Sequence, residues 1–181
     1  MSETGRVANV LGALALVLSD RTAGAVADAS GHSGSSASAL SALAEFLEHP
    51  TLDDLRKVLG LTPSGVVRLV DRLVDAGLVA RQPGADARSR AIVLTAAGRR
   101  VAGRIATARM AALTGVLDGL TRTELASLDE LLGRVMATVV GGKEGGAWIC
   151  RQCDLAACGR AAGRCPAALA AGRKYGGTAT T

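Results

Sequence analysis

The feature of the sequence that most constrains the fold is a pair of short capped helices near the middle of the chain. Thr51 and Asp54, three residues apart, have the pattern of a capping box that opens a helix, and Gly60 is a typical residue to end it. Thr62 can cap a second helix that begins at Pro63, since a proline at the first helical position loses no hydrogen bond. Two helices joined by so short a turn predict a helix-turn-helix.

The second helix, which the sequence predicts to end at Gly77, has two different faces. Apolar residues spaced i, i+3, i+4 and i+7 predict a buried face made of Val66, Leu69, Val70 and Leu73. Small residues at its start allow close approach to a DNA groove, and exposed arginines can donate to base edges or phosphates. The predicted DNA contacts on this helix are Thr62, Ser64, Gly65, Arg68 and Arg72. The sequence leaves open that the two arginines only pair with Asp71 and Asp75.

A predicted β-hairpin follows this helix directly. Residues 78–82 and 91–95 have strand character, and the segment between them combines turn formers with arginines. In this position the hairpin is interpreted as a wing whose Arg88 and Arg90 reach a flanking minor groove, which attracts guanidinium groups. Asp86 is expected to brace Arg88 rather than to contact DNA.

Long helices are predicted on both sides of this unit. Residues 3–30 form an apolar stripe that is wider than one short partner would cover, and residues 96–141 contain two further long amphipathic helices. Both regions are therefore predicted to form a homodimer interface around a DNA-binding head at residues 37–95. Because 49% of the residues are hydrophobic but only 2% are aromatic, helical packing of Leu, Val and Ala must supply the core. The predicted fold is mainly α with a small β-hairpin wing.

Charge and hydropathy limit the partners. A net charge of +5 favours a polyanion such as double-stranded DNA without proving it. The apolar run Val10–Leu18 is too short to span a bilayer, so no membrane association is expected, and a weak leader-like pattern at the start leaves export a minor alternative. No phosphate-binding loop, zinc-protease motif or nucleophile elbow occurs, so no enzymatic activity is expected.

The order of these elements resembles the MarR family of bacterial regulators over roughly residues 5–141. The resemblance is carried by residues 64–73, by Gly77-Leu78-Val79, and by Asp86-Ala87-Arg88 followed at family spacing by Leu94-Thr95. It implies that the wing contact is Arg88 and that the helix-turn-helix contacts are Ser64, Arg68 and Arg72. It further implies a dimer on a pseudopalindromic operator whose DNA affinity responds to a small molecule, a metal or an oxidant.

The chain departs from that family's common pattern in a predicted tail at residues 142–181, beyond a predicted family-like domain at 1–141. The tail contains all four cysteines, Cys150, Cys153, Cys158 and Cys165. Four thiols at such spacing can surround a metal, and neighbouring arginines would favour the thiolate form. An iron–sulfur cluster is the suspected cofactor, zinc is the alternative, and metal-free redox thiols also remain open.

Together these features predict a cytoplasmic, homodimeric DNA-binding transcriptional regulator, most simply a repressor, that senses redox state or metal through the cysteines. The alternative is a metal- or thiol-based redox protein whose helical body serves only dimerisation. The two differ in whether the chain binds duplex DNA with sequence preference.

Overall fold

Helices dominate the computed structural model, which describes residues 2–32, 34–84, 90–140 and 145–175. The elements are α1 (Glu3–Ser30), α2 (Gly34–Glu45), α3 (Leu52–Leu59), α4 (Pro63–Asp75), β1 (Val79–Pro83), β2 (Arg90–Leu94), α5 (Ala96–Thr114), α6 (Arg122–Val139), α7 (Gly145–Ile149) and α8 (Pro166–Tyr175). The two strands form one antiparallel hairpin. The predicted fold class is confirmed.

The capped helix pair forms as its local residues predict. Thr51 Oγ1 accepts a hydrogen bond from Asp54 N at 3.3 Å, and Asp54 Oδ2 accepts one from Thr51 N at 2.9 Å. Gly60 ends α3 with a φ of 65°, a left-handed conformation that glycine adopts without a Cβ clash. These contacts satisfy backbone groups that a helix end otherwise leaves unpaired, so the turn between α3 and α4 has fixed ends.

One apolar core joins α2, α3, α4, the hairpin and the first half of α5. Its members are aliphatic or alanine side chains at most 7% exposed: Val26, Ala37, Ala39, Leu40, Leu55, Val66, Leu69, Val70, Leu73, Leu78, Val79, Ile92, Val101, Ala102 and Ile105. All four residues of the predicted buried stripe of α4 belong to it. The burial of that stripe turns the opposite face of α4 to solvent.

The base of the hairpin is tied to the start of α5. Thr95 N donates to Leu78 O at 3.0 Å, and Thr95 Oγ1 accepts from Gly98 N at 3.0 Å. Gly98 is buried so close to β1 that a Cβ on it would lie 2.0 Å from Leu78 O. The residue must therefore be glycine for α5 to approach the hairpin this closely.

The boundaries of α2, of the two strands and of the end of α5 differ from the sequence prediction. Helix α2 begins at Gly34 rather than at 37 and ends at Glu45 rather than at 48, because the turn-forming serines at its start are accommodated by packing on neighbouring elements. The strands are shifted by one residue, and α5 ends at Thr114 rather than at 120, followed by turns beginning at Gly115. The shift of the second strand moves one predicted DNA contact, Arg90, from the hairpin tip to the first position of β2.

Two helices leave broad apolar faces in contact with solvent. On α1 and α6 the exposed large apolar side chains are Val7, Val10, Leu11, Leu14, Leu16, Val17, Leu125, Leu131, Leu132, Val135 and Val139. Only the end of α1 is fixed to the body, where Val26 and Ser30 are buried and Arg104 Nε donates to Ala29 O at 3.0 Å. Such faces are typical of surfaces that a second subunit covers.

Candidate nucleic-acid interface and cysteine cluster

The N-terminus of α4 is fixed by a side-chain cap. Thr62 Oγ1 accepts from Gly65 N at 3.1 Å, and Pro63 occupies the first helical position. A Cβ at position 65 would lie 3.0 Å from Thr62 Oγ1, so glycine leaves room for the cap. Thr62, Pro63 and Ser64 are all exposed. The small, open helix start predicted to approach DNA is therefore present.

Replacing Thr62 by alanine is expected to lower the free energy of unfolding by about 1 kcal/mol, because the Gly65 N–H loses its acceptor. Urea denaturation followed by circular dichroism measures the change. Thr62→Ser keeps a hydroxyl and should retain most of the stability. Equal stability of the alanine and serine variants would contradict the role of the cap.

The two arginines of α4 are exposed on the face opposite its buried stripe. Arg68 and Arg72 lie one helical turn apart, and within the described residues neither forms an ion pair or a side-chain hydrogen bond. Asp71 instead accepts from Arg81 Nη2 at 2.5 Å. The described contacts therefore do not show Asp71 neutralising the arginines of α4. Both guanidinium groups are available to a ligand.

The described part of the wing carries a second set of polar side chains. Arg90 is exposed and lies opposite Pro83, where the described part of the hairpin ends. Asp86 and Arg88 lie outside the described residues, so their predicted roles remain predictions. Arg81 and Gln82 of β1 are also exposed.

Arg81 was not predicted from the sequence as a site residue, although it connects the two parts of the surface. Its ion pair with Asp71 links β1 to α4 across the surface of the head. Burial along β1 falls from the buried Val79 to the exposed Arg81, Gln82 and Pro83, and no pattern in the sequence distinguished Arg81. The pair holds the hairpin in a fixed relation to the helix that precedes it.

The four cysteines lie close together in turns between α7 and α8. Cys150 and Cys165 are each 4% exposed, whereas Cys153 and Cys158 are partly buried, and all four thiols are free. Cys153 Sγ donates to Ile149 O at 3.9 Å, and Cys158 Sγ donates to Leu155 O at 3.4 Å. Cys150 is a neighbour of Cys153, and Cys158 of Cys165, so the cluster consists of two thiol pairs.

The environment of each thiol changes its pKa. The pKa of Cys150 is raised because it donates a hydrogen bond to Cys153 and because it is buried. The pKa of Cys153 is lowered by the same hydrogen bond and, to a smaller extent, by Arg109 and Arg151. Burial raises the pKa of Cys158. Among Cys150, Cys153 and Cys158, the thiol that most readily becomes a thiolate is therefore Cys153.

The side chains as they stand are not arranged around a metal. Within residues 2–32, 34–84, 90–140 and 145–175, no group of three or more His, Cys, Asp or Glu side chains is placed to hold a metal ion. The metal site predicted from the cysteine spacing therefore remains a prediction.

The cysteine segment packs against the head. Gln152 Nε2 donates to Ser38 Oγ at 2.8 Å, and Leu155 N donates to Glu45 Oε2 at 3.0 Å. Trp148 lies against α3, where its Nε1 is 3.6 Å from the position that a Cβ on Gly60 would take. The segment thus contacts α2 and α3, on which α4 rests.

Comparison with known proteins identifies the helix-turn-helix region. The model of the MarR family matches residues 37–89. CouR from Rhodococcus jostii bound to p-coumaroyl-CoA is 25% identical with a TM-score of 0.55, and the match covers 71% of this chain and 90% of that one. A MarR family protein from Mycobacterium tuberculosis in complex with p-aminosalicylic acid is 26% identical with a TM-score of 0.56, over 71% of this chain and 96% of that one.

A higher structural similarity links the chain to a MarR family protein from Bacillus stearothermophilus. Its TM-score is 0.69 at 24% identity, and the match covers 78% of this chain and 99% of that one. No curated protein matches the chain. The three solved chains are covered almost completely while at least 22% of this chain has no counterpart in them.

Proposed function

We propose that the chain, whose residues 37–89 match the model of the MarR family, is a winged helix-turn-helix transcriptional regulator of that kind, a sequence-specific DNA-binding repressor that acts as a homodimer. The observation that carries this proposal is the pair of exposed arginines on α4, Arg68 and Arg72, that have no partner within the described residues. Their helix is capped, its opposite face is buried, and a hairpin with the exposed Arg90 stands beside it. No enzymatic role is needed to explain these features.

The geometry suits a reading head for duplex DNA. The exposed start of α4 can enter a major groove, where arginine can donate two hydrogen bonds to guanine and the small residues allow close approach. The wing extends toward the adjacent backbone and minor groove, where Arg90 would contact phosphates or the groove floor. Arg88 is proposed to act in the same way.

A homodimer is supported by the apolar faces of α1 and α6. Val10 is 55% exposed, Leu14 44%, and Leu131 and Leu132 are 54% and 52%. When a second copy covers such side chains, apolar surface is removed from water. This burial stabilises the dimer by roughly 25 cal/mol per Å². Two-fold symmetry of the dimer then implies a pseudopalindromic operator.

Helix α1 also meets the length and composition requirements of a membrane span, with a mean hydropathy of 1.5 over its most apolar window and 6% of that window buried. We propose the dimer interface instead, because the end of α1 is packed on α5 and hydrogen-bonded by Arg104. A regulator of this kind works in the cytoplasm, where bacterial DNA lies.

The effector of the proposed repressor is a small molecule or a redox or metal signal. Two solved relatives carry p-coumaroyl-CoA and p-aminosalicylic acid, which supports a small-molecule effector in this family. In this chain the cysteine segment rests on α2 through Ser38 and Glu45, which supports sensing through the cysteines. A change in the segment would reach the head through those contacts.

A second candidate is a metal- or thiol-based redox protein whose helical body only dimerises, and the buried thiol pairs are the observation that favours it. That protein would have no sequence preference for DNA. Selection of bound fragments from fragmented genomic DNA therefore separates the two functions. We expect recovery of a pseudopalindrome with half-site centres about 10 base pairs apart.

Variants of α1 provide the control for this selection. Leu14→Asp would bury a carboxylate twice in the dimer interface and should raise the dimer dissociation constant by about 100-fold or more, with loss of paired half-sites. Asn9→Asp adds the same charge to the far side of the same helix and should leave the dimer intact. Light scattering measures the mass of each variant. A wild-type monomer, or fragments without symmetry, would contradict the proposal.

A further inference from the structure

The cysteine-rich segment has too small an apolar core to account for its fold. The buried members of its apolar cluster are Val140, Cys165, Ala167 and Ala170, and most of the stretch between α7 and α8 consists of turns. Alanine and cysteine bury little apolar area, and segments of fewer than about 40 residues usually need disulfides or metals to hold a fold. The described cysteines form no disulfide, and a metal is the other cross-link that such small folds use.

The turns bring the four thiols together. Gly159 and Gly163 have left-handed φ values of 66° and 67°, and Arg164 N donates to Gly159 O at 3.0 Å. This reversal returns the chain so that Cys158 and Cys165 become neighbours. Cys153 N donates to Cys150 O at 2.9 Å, which forms the second tight turn of the cluster.

The surroundings suit a group of thiolates. Arg160 Nη1 donates to Cys150 Sγ at 4.0 Å, and Arg151 and Arg164 lie in the same segment. Asp154, the carboxylate nearest in sequence, accepts a hydrogen bond from Ala157 N at 2.9 Å and caps its own turn. Cationic neighbours offset the negative charge of several thiolates, which are preferred ligands of zinc and iron.

We propose that Cys150, Cys153, Cys158 and Cys165 are the four ligands of a thiolate-held metal centre, either an iron–sulfur cluster or a single zinc ion. On binding, each thiol loses its proton to solvent as its sulfur–metal bond forms, and with zinc no electron is transferred. A cluster additionally requires iron and sulfide. Binding would draw the two thiol pairs around one ion or cluster and would supply the cross-link that the small core lacks.

The proposal predicts that the full chain purified without oxygen contains either iron with acid-labile sulfide and visible absorption, or one colourless zinc ion per chain. Elemental analysis, sulfide assay and absorption spectroscopy distinguish the two, and either result supports the centre. Wild-type protein with neither metal overturns it, whatever the cysteine variants do.

Replacement of the cysteines tests the ligands individually. Loss of an outer-shell partner alone costs about 10–100-fold in metal affinity, so Cys150→Ser or Cys158→Ser should cost more. Asp154→Asn, in the same turn, should keep the metal. Metal that persists unchanged in all four Cys→Ser variants overturns the assignment.

The tryptophan beside the cluster provides a readout that does not depend on DNA. Trp148 is the only tryptophan of the chain and lies two residues before Cys150, against Gly60. Removal of the metal from wild-type protein by a chelator should change its fluorescence, and re-addition of the metal should restore it. No response in metal-loaded protein would contradict a structural role for the centre. Because no DNA enters these measurements, their failure is distinct from failure of the repressor proposal.

Discussion

Replacing Arg68 by alanine is expected to raise the dissociation constant for operator DNA by about 30-fold or more. One good arginine contact to a base contributes about 1–3 kcal/mol, and the proposed dimer makes the contact twice. The fold should not suffer, because Arg68 is exposed and has no partner within the described residues. Fluorescence anisotropy with the selected operator at several salt concentrations measures the loss.

Two further variants give this experiment its control and its detail. Arg122→Ala removes the same charge from an exposed position on α6, a helix that packs on α8. This substitution should change the affinity for DNA by less than about threefold. Arg68→Lys should restore binding if the contact is to phosphate but not if it is a bidentate base contact. Equal affinities of the Arg68→Ala and Arg122→Ala proteins would refute the assignment of α4 as the reading helix.

Replacing Gly98 by alanine is expected to lower the free energy of unfolding by about 3 kcal/mol or more, a large effect for one methyl group. The added Cβ would lie 2.0 Å from Leu78 O and 3.0 Å from Leu94 Cδ2. Because Leu78 O is held by the Thr95 backbone, α5 itself would have to move away from the hairpin. For a chain of this length the melting temperature should fall by roughly 6–12 °C.

Gly103 is the matched control on the same helix. It is exposed, and a Cβ there would meet no atom within 4 Å. Gly103→Ala should therefore stabilise the protein by up to about 1 kcal/mol through helix propensity. If thermal unfolding shows Gly98→Ala to be as stable as Gly103→Ala, the tight contact between α5 and the hairpin is wrong.

The parts of the fold that could be predicted are those encoded by neighbouring residues. Thr51 with Asp54, Gly60, and Thr62 with Pro63 each fix a helix end through contacts within a few positions, so the sequence alone identified the helix pair. The buried face of α4 followed from its period. The start of α2 at Gly34 could not be predicted in this way, because packing on other elements outweighs the turn preference of its serines.

Contacts between distant residues were beyond such reasoning. The hydrogen bonds from Gln152 to Ser38 and from Leu155 to Glu45 join positions more than 100 residues apart. No periodicity in the sequence predicts these hydrogen bonds, so the packing of the cysteine segment on the head was not predicted. Helix α8 was also missed, although Pro166 at its start is a recognised signal.

The link between Thr95 and Leu78 also determines how movement can pass through the molecule. It joins the start of α5 to the base of the hairpin, so a movement of α5 would reach the hairpin directly. The 19 residues of α5 form a helix roughly 28 Å long. A tilt of about 5° at its Thr114 end carries the opposite end by about 2 Å, which is enough to break hydrogen bonds of about 3 Å to a groove.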